Sequence, residues 1–120
     1  MNIHESGEMY LESILVLKKQ NPQVRAIDIV NHTGYSKPSV SRALRILKKD
    51  GYITVDDGGF ISFTEKGEHH ALVIMERHTV LTKLFVQLGI DEKIASEDAC
   101  KIEHVISNET FQAIKDKFDL

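Results

Sequence analysis

The fold is decided by residues 33–51, which read TGYSKPSVSRALRILKKDG. Ser36 is a good N-cap residue, and Pro38 is tolerated in the first turn of a helix because no useful N–H is lost there. Apolar residues then recur close to helical spacing, at Val40, Leu44, Ile46 and Leu47. Thr33-Gly34 is typical of the end of a preceding helix, and Gly51 of the end of this one. The stretch therefore predicts a turn followed by a helix over residues 36–50.

The segments on either side complete a helix-turn-helix with a wing. Upstream, apolar spacing predicts one helix over residues 5–20 and another over residues 24–32. The residues expected to face inward from the second of these are Ile27, Ile29 and Val30. Downstream, β-rich residues 52–55 and 60–63 flank a turn cluster at residues 56–59, which is typical of a hairpin. Two helices joined by a Gly-containing turn and followed by a hairpin predict a winged helix-turn-helix.

The helix predicted over residues 36–50 carries a local basic face. The whole chain has a net charge of −3, but residues 36–49 contain five Lys or Arg residues and no acidic residue. Outward-facing side chains that can donate to phosphates and base edges are Ser36, Lys37, Ser39, Ser41, Arg42 and Arg45. A merely solvated basic helix is the alternative. The order helix, turn, helix and wing favours a DNA-binding helix.

Residues 67–120 are more acidic, with six Lys or Arg residues against ten Asp or Glu residues. Apolar spacing predicts a long fourth helix over residues 65–88, a fifth over residues 91–106 and a sixth that begins after Ser107. The chain is thus predicted to be mainly α, with a DNA-binding domain over residues 1–66 and a helical domain over residues 67–120. The second domain is interpreted as an assembly and sensing module.

The fifth predicted helix contains the only cysteine of the chain, Cys100, followed by Glu103 and His104. On a helix, spacings of three and four residues place thiol, carboxylate and imidazole on one face, within reach of a single ion. Cys100 can instead be a small buried hydrophobic residue. Burying three such groups without partners is costly, however, and a metal ion offsets that cost.

A single cysteine cannot form an internal disulfide, which indicates a reducing and therefore cytoplasmic environment. Residues 1–5 lack the basic and apolar regions of a secretory signal. The sequence also contains no long apolar stretch, so we expect no membrane association.

Four stretches make the chain resemble the iron- and manganese-dependent repressors of the diphtheria-toxin-repressor and manganese-transport-regulator type. They are residues 8–12 (EMYLE), 36–41 (SKPSVS), 77–78 (RH) and 98–107 (DACKIEHVIS). The resemblance implies a winged helix-turn-helix followed by an all-helical metal-binding and dimerisation domain. No SH3-like domain is expected, because the chain stops before one. Pro38, which lies in the second matching stretch, joins the six outward-facing residues as a predicted DNA contact.

The resemblance also implies a ligand set. In iron-type members the regulatory site consists of a methionine in the first helix and a Cys-x-x-Glu-His group. These roles fall on Met9, Cys100, Glu103 and His104. Thioether and thiolate ligands favour Fe(II) over Mn(II) as the cofactor, and Zn(II), Co(II) or Ni(II) are expected to bind at least as tightly in vitro.

Manganese-type members add a glutamate and a histidine, which correspond to Glu12 and His78. The chain therefore resembles a hybrid, in which iron-type soft ligands coexist with two manganese-type ligands. The iron-type ancillary glutamate and histidine are replaced here by Thr82 and Ser96. A second ion can instead use Glu12, His78 and Glu103.

These features predict a metal-dependent repressor of metal-uptake genes, in which the ion bridges the first helix and the C-terminal helices. It is expected to bind a palindromic operator in double-stranded DNA as a homodimer. The apolar residues expected to support the dimer are Ile102, Val105, Ile106, Phe111, Ile114 and Phe118. An alternative keeps DNA binding but makes Cys100 a redox-sensing thiol near His104. An enzyme with Cys100 as nucleophile is disfavoured, since the sequence supplies no oxyanion site.

Overall fold

The computed structural model describes residues 5–118, and of Glu5 only the backbone. Residues 1–4, which belong to the segment considered above for a secretory signal, and residues 119 and 120 lie outside the described residues. In the order of the chain, the elements are α1 (Glu5–Gln20), α2 (Ala26–Thr33), α3 (Lys37–Lys49), β1 (Ile53–Val55), β2 (Ile61–Phe63), α4 (Glu65–Gln87), α5 (Glu92–Ile102) and α6 (Asn108–Lys117). The predicted mainly α fold, with a two-stranded wing, is confirmed.

Helix α1 buries one face. The buried apolar side chains on it are Tyr10, Leu11, Ile14 and Leu15, which recur three and four residues apart. Burial raises the pKa of the Tyr10 phenol above its ordinary value, and the nearby phenol of Tyr35 raises it further. Tyr10 therefore stays neutral and acts as a core residue.

Helix α2 begins two residues later than predicted, because Val24 pairs with the wing instead. The Ile61 N–H donates to the Val24 carbonyl at 2.8 Å, in an isolated antiparallel bridge. Arg25 then serves as the N-cap, and its N–H donates to the Asp28 carboxylate at 2.8 Å. The start of the helix is thus set partly by a contact with a residue 37 positions away in the sequence.

Helix α3 has the predicted cap. The Ser36 hydroxyl accepts a hydrogen bond from the Ser39 N–H at 3.2 Å. The buried residues of this helix are Val40, Leu44 and Leu47. Ile27 of α2, which was predicted to face inward, is exposed at 44%, and the apolar Ile46 of α3 is exposed at 47%. Each residue turns an α-helix by about 100°, so both lie well away from the buried faces of their helices.

The wing is an antiparallel hairpin of β1 and β2. The Asp56 carboxylate closes its turn, since Oδ1 accepts hydrogen bonds from the N–H groups of Gly58 and Phe60 at 2.9 Å each. Lys18 of α1 donates from Nζ to the Ile61 carbonyl at 2.7 Å. This bond fastens the base of the wing to the first helix.

The first turn of α4 lies directly on the backbone that enters the wing. A Cβ added at Gly67 would lie 1.8 Å from the Tyr52 carbonyl oxygen, so only glycine fits here. The Thr64 N–H donates to that same carbonyl at 3.1 Å, and the Thr64 hydroxyl donates to the Gly51 carbonyl at 2.6 Å. The Thr64 oxygen also accepts from the Gly67 N–H and caps the helix.

The chain divides into two compact units, Met1–Leu72 and Val73–Leu120. Helix α4 begins in the first unit and ends in the second. The fully or nearly fully buried residues of the second unit are Ile74, Leu81, Ala95, Ala99, Glu103 and Phe111. Across residues 5–118, every helix is too short or too polar to span a membrane.

Candidate functional site

Helix α5 ends at Ile102, so the prediction of an uninterrupted helix through the Cys-x-x-Glu-His group was wrong. Glu103 is the C-cap, and its N–H still donates to the Ala99 carbonyl at 2.9 Å. Its backbone angles remain helical, with φ −56° and ψ −26°. Cys100 and Glu103 therefore keep a spacing of about one helical turn, whereas His104 lies in the turn after the helix.

The carboxylate of Glu103 is fully buried and lies between two imidazoles. Its Oε2 is 2.9 Å from Nδ1 of His78 on α4, and its Oε1 is 3.3 Å from Nε2 of His104. Within the described residues, Oε1 receives no hydrogen bond of acceptable geometry. A carboxylate removed from water in this way is costly unless a cation or strong donors compensate. Carboxylate and imidazole together are a donor set that suits Mn(II), Fe(II) and Zn(II).

The two hydroxyls that replace the iron-type ancillary ligands both contact His78. The Ser96 Oγ lies 3.3 Å from His78 Nε2, and the Thr82 hydroxyl donates to the His78 carbonyl at 2.7 Å. Both ring nitrogens of His78 thus have polar neighbours, Glu103 on one side and Ser96 on the other. A histidine that binds a metal through one nitrogen commonly donates from the other to an oxygen.

The remaining predicted ligands are half-buried. Cys100 lies on α5 in the second unit, and Met9 and Glu12 lie on α1 in the first unit. The Ser13 hydroxyl donates to the Met9 carbonyl at 3.0 Å and lies 4.0 Å from Met9 Sδ. Inside the second unit, the structure brings three of the six predicted ligands together, namely His78, Glu103 and His104.

Arg77 was assigned no role from the sequence, although it is part of a matching stretch. Its Nη1 donates to the Glu103 carbonyl at 3.1 Å and to the Ile106 carbonyl at 2.9 Å. Its Nη2 donates to the side-chain oxygen of Asn108. These acceptors lie 26 to 31 residues further along the chain, so no local pattern could have identified them. The contacts hold the turn that carries His104.

All seven predicted DNA contacts on and before α3 are exposed. They are Ser36, Lys37, Pro38, Ser39, Ser41, Arg42 and Arg45. The hydroxyls of Ser36 and Ser39 are 2.9 Å apart, so the cap of the helix is part of the same polar surface. An open groove of about 370 Å³ borders this surface, and its lining residues are Ala26, Ile27, Val30, Lys37 and Ser41. The arrangement presents cations and hydroxyls without any acidic side chain in α3.

Two protein families match successive parts of the chain. Residues 2–59 match the family described as iron dependent repressor, N-terminal DNA binding domain. Residues 64–119 match the family described as iron dependent repressor, metal binding and dimerisation domain. Both descriptions are of transcriptional repressors and not of enzymes.

Individual proteins agree with these families. An uncharacterized HTH-type transcriptional regulator of Methanocaldococcus jannaschii, MJ0568, is 34% identical over 113 residues, which cover 92% of this chain and 90% of the relative. The transcriptional regulator MntR of Escherichia coli O157:H7 is 31% identical over 106 residues, which cover 88% of this chain and 68% of the relative. The crystal structure of IdeR from T. acidophilum superposes with a TM-score of 0.80 at 23% identity. That likeness concerns the fold, and this chain spans 56% of the IdeR chain.

Proposed function

Because the chain belongs to the family of iron-dependent repressors, we propose that it represses metal-uptake genes when Fe(II) or Mn(II) binds. The observation that carries this proposal is the fully buried carboxylate of Glu103 between His78 and His104. Its desolvation is costly, and ligation by a divalent cation offsets that cost. DNA binding is assigned to residues 1–66, and metal binding with dimerisation to residues 67–120.

The proposed regulatory ligands are Met9, Cys100, Glu103 and His104. Glu12 and His78 join Glu103 at a proposed second ion. The side chain of His78 suits this role, because Ser96 can hold one ring nitrogen while the other binds metal. Thiolate and thioether donors favour Fe(II) over Mn(II) as the physiological ion.

The proposed ligands come from both units of the chain. Met9 and Glu12 belong to α1, which is part of the DNA-binding unit, and the other four belong to the second unit. When bound, the divalent ion supplies positive charge and coordination bonds that join α1 to the second unit. Because α3 belongs to the same unit as α1, the ligands would thereby restrict the orientation of α3 relative to the second unit. Coupling of this kind typically changes affinity at the second site about 5- to 150-fold.

A homodimer is supported by apolar residues on the surface of the second unit. The exposed ones are Val86, Leu88, Ile90, Ile94, Val105 and Phe118. Because contiguous exposed apolar side chains mark interaction surfaces, we propose that these residues form one such surface. A two-fold dimer places two copies of α3 on the two half-sites of a palindromic operator. Phe111, which was also predicted to support the dimer, is buried within its own unit and contacts Arg77.

The proposal is tested by fluorescence anisotropy with a DNA duplex selected from a random library in the presence of Mn(II). We expect Mn(II), or Fe(II) without oxygen, to raise DNA affinity about 5- to 150-fold over the chelated sample. Glu103→Gln should bind the same duplex weakly in both conditions. Equal affinity of the wild-type protein with metal and with chelator would contradict the proposal.

The same assay separates the metal switch from thiol sensing. A redox sensor at Cys100 predicts that peroxide alters DNA binding by the metal-free protein, and that Cys100→Ser abolishes the response. We expect the metal-free protein to be insensitive to peroxide. A Cys100-dependent response in the absence of metal would favour the redox reading.

A further inference from the structure

We propose that Arg77 is a positioning residue for the metal centre, which it shapes without ligating the metal. This inference rests on the proposed function, because it concerns the orientation of Glu103 and His104 as ligands. Arginine stays protonated at all physiological pH values and has no lone pair to offer a metal. Its effect must therefore pass through the groups to which it donates hydrogen bonds.

Arg77 binds three consecutive parts of the chain in the second unit. Its guanidinium donates to the carbonyl of the α5 C-cap, Glu103, at 3.1 Å and to the carbonyl of Ile106 in the following turn at 2.9 Å. It also donates to Asn108, the first residue of α6, and lies 5.6 Å from the ring centre of Phe111. One side chain of α4 thus holds the end of α5, the turn and the start of α6.

The carbonyl groups at the end of α5 need hydrogen-bond donors from outside the helix. The last carbonyls of a helix have no partner inside the helix, and a cation there also interacts favourably with the helix dipole. The planar guanidinium has donors in a fixed fork, which allows it to serve two carbonyls at once. A lysine ammonium is a single point of charge and cannot reproduce this arrangement.

The link to the metal centre is that Arg77 and His78 are neighbours on α4 and hold opposite ends of Glu103. Arg77 binds the Glu103 carbonyl, and His78 lies 2.9 Å from its carboxylate. The backbone and the side chain of the buried glutamate are therefore both located by α4. His104 is the next residue, and its position follows from the same turn.

The experiment compares Arg77→Lys with wild type in binding Co(II), followed by the visible absorption of the bound ion. We expect a loss of about 10- to 100-fold in Co(II) affinity, which is typical when a residue that orients metal ligands is replaced. We also expect a changed absorption spectrum at saturating Co(II), because Glu103 and His104 would no longer be held in one geometry. Circular dichroism of the metal-free variant should retain the helical signal of the wild type.

Glu76→Gln is the matched control. Glu76 precedes Arg77 on α4 and pairs with Lys115 of α6 at 3.2 Å, so this variant removes a neighbouring α4–α6 contact but leaves the turn untouched. We expect it to bind Co(II) with wild-type affinity and spectrum. An equal loss in Glu76→Gln would show that general α4–α6 packing is responsible and would overturn the proposal.

Further outcomes separate this proposal from the proposed function. If wild type binds Co(II) and Arg77→Lys matches it in affinity and spectrum, the positioning role is wrong and the metal-dependent function stands. If wild type does not bind Co(II), the proposed function itself fails. Should Arg77→Lys not fold, Asn108→Ala removes one of the three acceptors, and a loss of about threefold is expected. Wild-type affinity and spectrum in Asn108→Ala would then overturn the positioning role.

Discussion

Replacing Glu103 by Gln separates the part that the buried carboxylate plays in metal binding from its part in folding. The substitution nearly keeps the side-chain volume and removes the negative charge. A Gln amide can still form hydrogen bonds with His78 and His104, whose nitrogens lie 2.9 and 3.3 Å from the carboxylate oxygens. In the metal-free protein, the main effect of the substitution is to remove the buried negative charge of Glu103, and with it the free-energy cost of keeping that charge out of water.

We expect the metal-free variant to be more stable than wild type by about 1 kcal/mol, because an uncharged amide costs less to keep out of water than a carboxylate and can still bond both imidazoles. For a chain of this size that corresponds to a rise of about 3–6 °C in the unfolding midpoint. Metal should reverse this order of stability and make the wild type the more stable protein. Mn(II) at about 100 times its Kd stabilises the wild type by about 2.7 kcal/mol, whereas Glu103→Gln has lost a ligand and gains little.

The assay is thermal unfolding followed by circular dichroism, with chelator and with excess Mn(II). Glu76→Gln is the control, because it makes the same chemical change at an exposed carboxylate of α4. It should change stability by less than about 1 kcal/mol and keep the full response to metal. Two results would contradict this prediction: a metal-free Glu103→Gln protein less stable than wild type by more than about 1 kcal/mol, or a variant that Mn(II) stabilises as much as it stabilises wild type.

Three further predictions concern the fold, the DNA surface and the dimer. Gly67→Ala places a Cβ 1.8 Å from the Tyr52 carbonyl oxygen and should lower the free energy of unfolding in urea by about 3 kcal/mol or more. Arg45→Ala should weaken binding to all DNA sequences and reduce the slope of log affinity against log salt by about 1, whereas Lys19→Ala on α1 should leave both unchanged. Leu88→Asp should halve the mass measured by sedimentation at micromolar concentration, because it places a charge in the proposed interface.

Each of these predictions has an outcome that counts against it. Wild-type stability of Gly67→Ala would mean that the first turn of α4 can move away from the wing. A sequence-dependent loss in Arg45→Ala, with an unchanged salt slope, would indicate a base contact instead of a phosphate contact. A Leu88→Asp protein that keeps the mass of the wild-type oligomer would remove that residue from the interface.

The winged helix-turn-helix could be predicted because its signals are local. The Ser36 cap of α3 and the end of α2 at Gly34 depend on residues within a few positions, and the structure confirms both. The errors arose where distant residues take part. Helix α2 starts late because Val24 pairs with Ile61, and α5 ends early where Arg77 binds the Glu103 carbonyl. Neither contact can be inferred from the spacing of neighbouring residues in the sequence.

The candidate site could be predicted only in part for the same reason. Helical spacing suggested Glu103 and His104 as possible ligands, but the contact of Glu103 with His78 joins residues 25 positions apart. Only the resemblance to a known family brought His78 and Met9 into consideration. The assignment of all six residues as metal ligands stays a prediction.

The metal switch that joins α1 to the second unit is tested most directly by anomalous diffraction from crystals grown with Mn(II) or, without oxygen, with Fe(II). We expect a strong anomalous difference peak at the metal absorption edge, within bonding distance of the carboxylate of Glu103 and the imidazole of His104. That ion should also have Met9 of α1 as a ligand, and a second ion beside it should have Glu12 of α1. A peak whose protein ligands all belong to residues 73–120, or no peak near Glu103, would contradict a switch that joins the metal centre to the DNA-binding unit.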